Sequence, residues 1–156
     1  LMVVGPPEAE QVKILDLGLV KLVGLAAAEL GAEKLTATGM VYGTPIYMSP
    51  EQVLGRPLDH RADLYSLGLV LFEMLTGEPP FYSDESAQVM RMHASAARPS
   101  LVDRGFPHER STPTLESLVA RAIAKSPADR YATAGEMIIA LDAAAAAAPV
   151  ATTPSW

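Results

Sequence analysis

The sequence predicts a mainly α-helical domain with a small β-hairpin at its N-terminus, a long loop after the hairpin and a buried central helix. Two short apolar runs at residues 1–4 and 12–15 predict the hairpin, because both have strand length and β-branched side chains. The loop is predicted where residues 23–48 follow neither the strand period nor the helical period. The central helix is predicted at residues 59–76, which lack proline and carry apolar side chains around most of the helix.

The N-terminal part combines the hairpin with the long loop. Gly5, Pro6 and Pro7 lie between the two runs and predict the turn, and residues 19–22 are a candidate third strand. Glycines and proline interrupt the loop, in which we expect one helical turn near residues 26–30. Such long loops are uncommon in compact domains unless they are functional or disordered. This segment is therefore a candidate functional region.

The central helix has recognisable start and stop signals. Asp59 is placed to cap its first turn, and Gly77 follows the last apolar residue. Its apolar side chains cover most of the circumference, which predicts a helix buried on every side at the centre of the domain.

Shorter helices are predicted on the C-terminal side of the central helix. Residues 83–94 and 114–125 form two of them, and a last helix begins at Thr133, where Glu136 completes a capping box. The domain is expected to run over residues 1–142. The Ala/Pro/Thr-rich residues 143–156 are predicted to form a flexible tail, which begins as frayed helix in the alanine run at 143–148.

Composition excludes several function classes. The chain has 156 residues and a net charge of −6 without a cluster of Lys and Arg, so no nucleic-acid partner is expected. It has no cysteine for a disulfide, a thiolate zinc site or a thiol nucleophile, and no apolar run of about 18 residues that predicts a membrane segment. No targeting signal is visible, so a cytoplasmic location is expected. His60, His93 and His108 lack metal-ligand spacing and are interpreted as surface or capping residues.

Four separated motifs occur in a characteristic order. They are D-L-G at residues 16–18, G-T-P-I-Y-M-S-P-E at 43–51, D-H-R-A-D-L-Y-S-L-G at 59–68 and P-A-D-R-Y at 127–131. Together they resemble the C-terminal lobe of eukaryotic-like serine/threonine protein kinases, particularly those of bacteria, over about residues 1–142. The resemblance implies a kinase-like C-lobe without its N-lobe, in which the long loop is the activation loop.

The resemblance also assigns the cofactors ATP and Mg²⁺. Asp16 matches the family aspartate that binds magnesium at the phosphates, although Asp16 and Gly18 alone would also be read as a simple turn. Met2 matches the floor of the adenine pocket. Leu17 stands where the family usually has phenylalanine, which leaves less aromatic area to pack beneath the lobe.

Three threonines on the loop are further candidates. By resemblance, Thr36 and Thr38 occupy positions at which bacterial kinases are autophosphorylated, and a phosphate there could order the loop against a basic group. The alternative is that loops are commonly rich in threonine. Thr44 matches the segment that receives the substrate hydroxyl and distinguishes serine/threonine from tyrosine kinases.

Three further residues are assigned structural roles. Glu51 and Arg130 resemble the buried ion pair that ties the end of the loop to the helical lobe. Asp63 matches the family aspartate that accepts backbone hydrogen bonds from the catalytic loop, or it is only an acidic residue in the first turn of a helix.

The family's machinery is larger than the part present in these residues. The sequence has no G-x-G-x-x-G loop, no V-A-I-K lysine and no H-R-D-x-x-x-x-N, so no catalytic base is assigned. The expectation is a sequence that starts inside the catalytic loop, and phosphoryl transfer to a protein serine or threonine then belongs to a longer parent. This chain alone is expected to be inactive and, because its hairpin strands would expose apolar edges, marginally soluble.

Two other hypotheses remain at this point. The chain could be a non-catalytic, pseudokinase-like interaction module with a docking groove around residues 83–94, or an unrelated helical scaffold. The expected partners are a protein substrate and the parent's N-lobe or another kinase.

Overall fold

The computed structural model describes residues 2–9, 11–13 and 45–149. The chain divides into two compact units, Leu1–Tyr42 and Gly43–Trp156. The predicted third strand at 19–22 and nearly all of the predicted loop lie outside the described residues.

The first unit contains an antiparallel hairpin. Strand β1 (Met2–Val4) pairs with β2 (Gln11–Lys13), and Val3 lies opposite Val12. Gly5 has a φ of 106°, the left-handed region that glycine tolerates, and so begins the turn between the strands. Residues 14 and 15 of the predicted run at 12–15 lie outside the described residues.

The second unit is helical. Its helices are α1 (Pro50–Val53), α2 (Arg61–Thr76), α3 (Ser86–Ser95), α4 (Pro113–Ala122) and α5 (Ala134–Ala147). A 3₁₀ turn at Pro45–Tyr47 precedes α1, and further 3₁₀ turns lie between later helices at Val102–Arg104, His108–Arg110 and Pro127–Asp129. Among the helices that the structure describes, none combines the length and apolar character needed to cross a bilayer.

Helix α2 contributes side chains to both hydrophobic clusters of this unit. One cluster comprises Tyr65, Leu69, Phe72, Phe81, Leu101, Phe106, Val119 and Ile123. The other comprises Leu64, Leu118, Ala122, Tyr131, Met137 and Ala144. Because α2 packs into both, it is the central helix of the unit.

The prediction that α2 is buried on every side is wrong. Leu67 is 44% exposed and Met74 is 77% exposed. They lie seven residues apart and therefore on one face, which the described elements leave open to solvent. An apolar circumference indicates what a helix is able to bury, whereas the number of packed neighbours decides what it does bury.

The ends of the helices follow local rules, with small shifts from the predicted bounds. His60 is the N-cap of α2, but the Asp59 carboxylate accepts the Arg61 N–H at 2.9 Å, so Asp59 still satisfies a free amide of the first turn. The helix ends at Gly77, whose φ of 83° is left-handed.

Helix α5 begins as predicted, and the alanine run is regular helix where frayed helix was expected. Thr133 is its N-cap and accepts the Glu136 N–H at 3.2 Å. The helix continues through Ala147, and Ala144 is buried in the second cluster, so the expected boundary at residue 142 lies inside the helix. Alanine has the highest helix propensity, which explains why the alanine run stays helical.

Candidate functional site

The sequence-predicted site residues fall into two groups. Asp16, Thr36, Thr38 and Thr44 lie outside the described residues, and for Met2 the structure gives only its place in β1. The other three, in the helical unit, can be placed by their contacts.

Glu51 and Arg130 form a bidentate ion pair in the interior. Arg130 Nη1 donates to Glu51 Oε1 at 2.7 Å, and Arg130 Nη2 donates to Glu51 Oε2 at 2.8 Å. Both residues are almost fully buried. Burial by itself would raise the pKa of the Glu51 carboxyl, but hydrogen bonds from Arg130 and from backbone, together with the guanidinium charge, lower it below its usual value. The pair is therefore charged on both sides.

The local sequence explains how the two partners meet. Ser49 and Gln52 form a capping box with Pro50 in the first turn of α1, which places Glu51 on the inner face. Arg130 directly follows the 3₁₀ turn Pro127–Asp129.

The remaining donors of the Arg130 guanidinium are also satisfied. They reach the carbonyl oxygens of Ala124 at 2.8 Å, Arg61 at 3.0 Å and Lys125 at 3.1 Å. A buried charge with every donor paired avoids the penalty of an unsatisfied polar group. The ion pair thus connects α1, the start of α2 and the end of the α4 region.

Asp63 lies apart from this pair, on the exposed side of α2. It occupies the first turn, four residues before Leu67 and on the same face. In the parts of the chain that the structure describes, no hydrogen bond reaches its carboxylate. The structure therefore places Asp63 on the open face of α2 and leaves its proposed acceptor role as a prediction.

The 3₁₀ turn Pro45–Tyr47, which follows Thr44, is fixed to α2 by two hydrogen bonds. Ser66 Oγ donates to the Tyr47 carbonyl at 2.8 Å, and the Tyr47 hydroxyl donates to Glu73 Oε2 at 2.6 Å. The bond to Glu73, with smaller contributions from burial and the Glu73 charge, raises the pKa of Tyr47 to about 12. Sequence reasoning missed Ser66 and Glu73, although their spacing of seven residues puts them on one helix face.

The interpretation of His93 as a surface or capping residue is wrong. His93 is fully buried, its Nδ1 is 2.9 Å from the Tyr65 hydroxyl, and its ring packs edge-on against Phe81. The reason is its position on α3, since His93 and the buried Val89 are four residues apart on the inner face. That spacing was a usable signal in the sequence.

Lys125 contacts Phe81, the same ring against which His93 packs. Its ammonium lies 3.9 Å from the centre of the Phe81 ring and donates to the Met92 carbonyl at 2.8 Å. Burial and the nearby Arg130 charge lower the pKa of Lys125 to about 8. Within residues 45–149 and the described hairpin, no group of three or more His, Asp or Glu side chains could hold a metal ion.

The turn Pro45–Tyr47 is a surface feature that hydrogen bonds connect to α2. Tyr47 remains 37% exposed and Glu73 is half-buried, so the turn presents an aromatic ring beside a carboxylate. An exposed ring beside a carboxylate offers an apolar contact and a charged hydrogen-bond acceptor to a bound group.

Comparisons with known proteins agree on one family. The family model described as "Protein kinase domain" matches residues 3–139. The serine/threonine-protein kinase pkn3 of Myxococcus xanthus is 42% identical over 127 residues, which cover 81% of this chain and 22% of that protein. PknB of Mycolicibacterium smegmatis is 44% identical over 126 residues, which cover 81% of this chain and 19% of PknB.

A third relative covers slightly more of the chain. The serine/threonine-protein kinase PknL of Mycobacterium tuberculosis is 41% identical over 136 residues, 86% of this chain and 31% of PknL. The chain therefore spans between about a fifth and a third of the length of these curated relatives.

Proposed function

The chain belongs to the protein kinase family, and on this premise we propose that it forms the substrate-side part of a bacterial-type serine/threonine protein kinase domain. The reaction is phosphoryl transfer from ATP to a serine or threonine hydroxyl of a protein substrate. The observation that carries the proposal is the anchored turn Pro45–Tyr47. It directly follows Thr44 and is bonded to α2 through Ser66 and Glu73.

Phosphoryl transfer depends mainly on positioning and on electrostatic stabilisation. In this proposal Thr44 orients the incoming hydroxyl, and the turn next to it holds the peptide backbone in place. The Glu51–Arg130 pair fixes α1 behind the turn, so the peptide surface does not shift when the substrate binds. Thr36 and Thr38 are the proposed phosphorylation sites on the same loop, and Asp63 is the proposed acceptor for catalytic-loop backbone.

Fewer residues of this chain are proposed to contact the nucleotide. Asp16 is the proposed Mg²⁺ ligand and Met2 the proposed contact to adenine. Asp16 lies outside the described residues, among which no group of three or more His, Asp or Glu side chains could hold a metal ion. Magnesium bound with ATP would neutralise charge on the transferred phosphate. Because ATP is the donor, we place the reaction in the cytoplasm.

Activity is proposed to require residues that this sequence does not contain. The catalytic base, the phosphate-binding lysine and the second magnesium ligand of the family belong to motifs absent from these 156 residues. We expect the 156-residue chain to have no phosphotransferase activity above background. A kinase N-lobe, from the same reading frame or a partner, would supply the missing groups.

The decisive experiment compares two proteins with radiolabelled ATP, Mg²⁺ and a serine/threonine-rich generic substrate. One is the 156-residue chain, and the other is the product of the whole open reading frame that contains it. We expect labelling only by the longer protein, with loss of labelling in its Asp16→Asn variant and retention in its Asp142→Asn variant. Robust labelling by the 156-residue chain would contradict the inactivity proposal.

A specific observation favours a second candidate, a non-catalytic interaction module. A surface cavity of about 450 Å³ lies between α1 and the end of α3, with Pro50, Leu54, Pro57 and Ala94 among its lining residues. The cavity is partly apolar, with Arg56 and Lys125 also in its lining, and a groove of this kind beside α3 could dock a partner protein. If the product of the whole reading frame transfers no phosphate but still captures a protein through this cavity, the interaction module replaces the kinase proposal.

A further inference from the structure

A buried histidine extends the network of the ion pair to helix α3. His93 lies at the C-terminal end of α3, which packs against the turn Pro45–Tyr47. Its Nδ1 is 2.9 Å from the Tyr65 hydroxyl, and the Arg130 guanidinium lies 4.7 Å from the centre of the Tyr65 ring. A series of contacts therefore runs from Glu51 through Arg130 and Tyr65 to His93, which lies on the helix that packs against the turn.

One atom in this series has no obvious partner. In the part of the chain that the structure describes, His93 Nε2 is the only buried side-chain nitrogen or oxygen without a hydrogen bond. Native proteins rarely leave such an atom unsatisfied, so it calls for an explanation. Helix α3 packs against the turn Pro45–Tyr47, and the backbone of Pro45 and Ile46 raises the pKa of His93, which is the effect of carbonyl oxygens near an imidazole.

The surroundings select one tautomer of the neutral ring. Pro45 has no N–H, so its backbone can only accept a hydrogen bond. A ring nitrogen that faces acceptors is favoured when it carries the proton, and the neutral imidazole has only one such N–H. Nδ1 must then accept, and the Tyr65 hydroxyl is able to donate to it. A hydrogen bond from Tyr65 to Nδ1 thereby leaves the proton on Nε2.

We propose that His93 is a positioning residue for the substrate-side surface, in which its neutral Nε2–H, oriented by Tyr65, holds the carbonyl groups of the turn Pro45–Tyr47. The inference rests on the proposed function only in assigning the turn to the substrate. The hydrogen bond from His93 would connect the turn, through Tyr65 and Arg130, to the buried ion pair with Glu51.

The charged groups around His93 agree with a neutral ring. Lys125 approaches from the end of the α4 region, Arg130 lies beyond Tyr65, and Glu51 neutralises Arg130. Tyr65 on α2 and the backbone of the turn contribute no net charge. Burial and the Lys125 ammonium lower the pKa of His93 to about 4, so the ring is uncharged at neutral pH.

The first experiment measures the tautomer of the His93 ring. Long-range ¹H–¹⁵N NMR on the 156-residue chain reports the tautomer of each histidine, and the variants H60Q, H93Q and H108Q assign the signals. We expect the neutral Nε2–H form of His93 from pH 8 down to about pH 5, below which protonation begins. The Tyr65→Phe variant should shift His93 toward a mixture of tautomers. A neutral Nδ1–H form, or titration near the ordinary histidine pKa, overturns the proposal.

The second test is the turn. The Met48 N–H donates to the Pro45 carbonyl at 3.2 Å, so its hydrogen exchange reports on whether the turn stays closed. His93→Phe and His93→Asn should speed this exchange about fivefold, the factor typical of one lost hydrogen bond, whereas His93→Gln can place an amide N–H near Nε2 and should restore protection. His108→Gln, at an exposed site, is the matched control.

These readouts separate this inference from the kinase proposal. Unchanged Met48 exchange in His93→Phe overturns the positioning role even if the product of the whole reading frame transfers phosphate. An Nε2–H tautomer with faster exchange in the variants supports the role even if no phosphate is transferred. If His93→Phe fails to fold, the wild-type tautomer and the Tyr65→Phe shift still decide the question.

Discussion

At the scale of single residues, the Glu51–Arg130 pair is the best-defined feature of the candidate site. Both side chains are removed from water, and each guanidinium donor has an acceptor. The net stabilisation by such a pair is small relative to a well-packed apolar alternative, because desolvation of both charges offsets their attraction. Removal of one partner is different, since the other charge is left buried and unpaired.

We therefore predict that Arg130→Met lowers the free energy of unfolding by about 3–5 kcal/mol. The double variant Glu51→Leu/Arg130→Met should recover part of that loss, because no isolated charge remains. Urea unfolding at neutral pH measures both values.

The control for this prediction is an exposed ion pair. Arg121 and Glu136 are 2.6 Å apart at the surface, and methionine at position 121 would keep some packing on the Tyr131 ring. Arg121→Met should cost only about 0–1 kcal/mol. Equal losses in Arg121→Met and Arg130→Met would show that burial does not set the energetics of these pairs.

A second residue-scale prediction concerns pH and His93. Burial and the Lys125 charge lower the pKa of His93 to about 4, and an unfolded histidine titrates near 6.5. Between these values the unfolded chain binds more protons, so the stability that the neutral ring contributes is complete above about pH 6.5 and is lost as pH falls toward 4. We expect a loss on the order of 2 kcal/mol across this window.

The measurement compares the wild type with His93→Gln in urea unfolding at several pH values between 7 and about 4.5. Protonation of carboxylates in acid also lowers the free energy of unfolding. One example is Asp59, whose pKa is lowered to about 2 by hydrogen bonds from Arg61. The carboxylates are the same in both proteins. The difference between the two slopes of unfolding free energy against pH therefore reports the titration of His93. Parallel slopes would contradict the lowered pKa of His93.

At the scale of elements, the crossing of α2 and α4 depends on Gly68. A Cβ at this position would lie 2.7 Å from Ala122 Cβ and 2.8 Å from Ile123 Cγ2. Both distances are too short for carbon atoms in contact, and the packed backbone of α4 leaves little room to adjust. The glycine is thus required by the close approach of the two helices.

We predict that Gly68→Ala is destabilising even though alanine is the better helix former. The gain in helix propensity is at most about 1 kcal/mol, and overpacking costs about 1–3 kcal/mol. Gly135→Ala in α5 is the matched control, because its nearest neighbour would be Thr133 Oγ1 at 3.8 Å. Thermal unfolding should show a lower Tm for Gly68→Ala and an equal or higher Tm for Gly135→Ala. A lower Tm for Gly135→Ala than for Gly68→Ala would mean that α2 and α4 can move apart to accommodate the added methyl group.

The elements also show what the sequence could and could not predict. Caps and breakers are local, so Gly77 and Thr133 marked helix ends correctly. The Glu51–Arg130 pairing was suggested by a family resemblance, because nothing local links residues 79 positions apart. The bond between Tyr47 and Glu73 depends on where a turn meets a helix face, which composition does not encode. The exposed face of α2 was missed for the same reason.

At the scale of the whole molecule, the helical unit contains its own core and its own polar network. Both hydrophobic clusters and the ion pair are drawn from residues 51–144. The unit also exposes apolar side chains at Leu67, Met74, Ile138 and Ile139, and Val12 is exposed on β2. The marginal solubility expected for the isolated chain stays a prediction, to which these exposed side chains lend support because apolar patches favour association.

The last prediction is that residues 43–149 fold without residues 1–42. A domain unfolds cooperatively when its core is continuous, and the two clusters here share α2 and α4. We expect the shorter chain to give a single cooperative unfolding transition by circular dichroism, and Arg130→Met to cost the same free energy in it as in the 156-residue chain. A broad transition without a baseline, or a much smaller effect of Arg130→Met, would mean that the first unit is needed to form the buried network. The tautomer of His93 in the shorter chain provides an independent check, because it reports the network directly and not only the helical content.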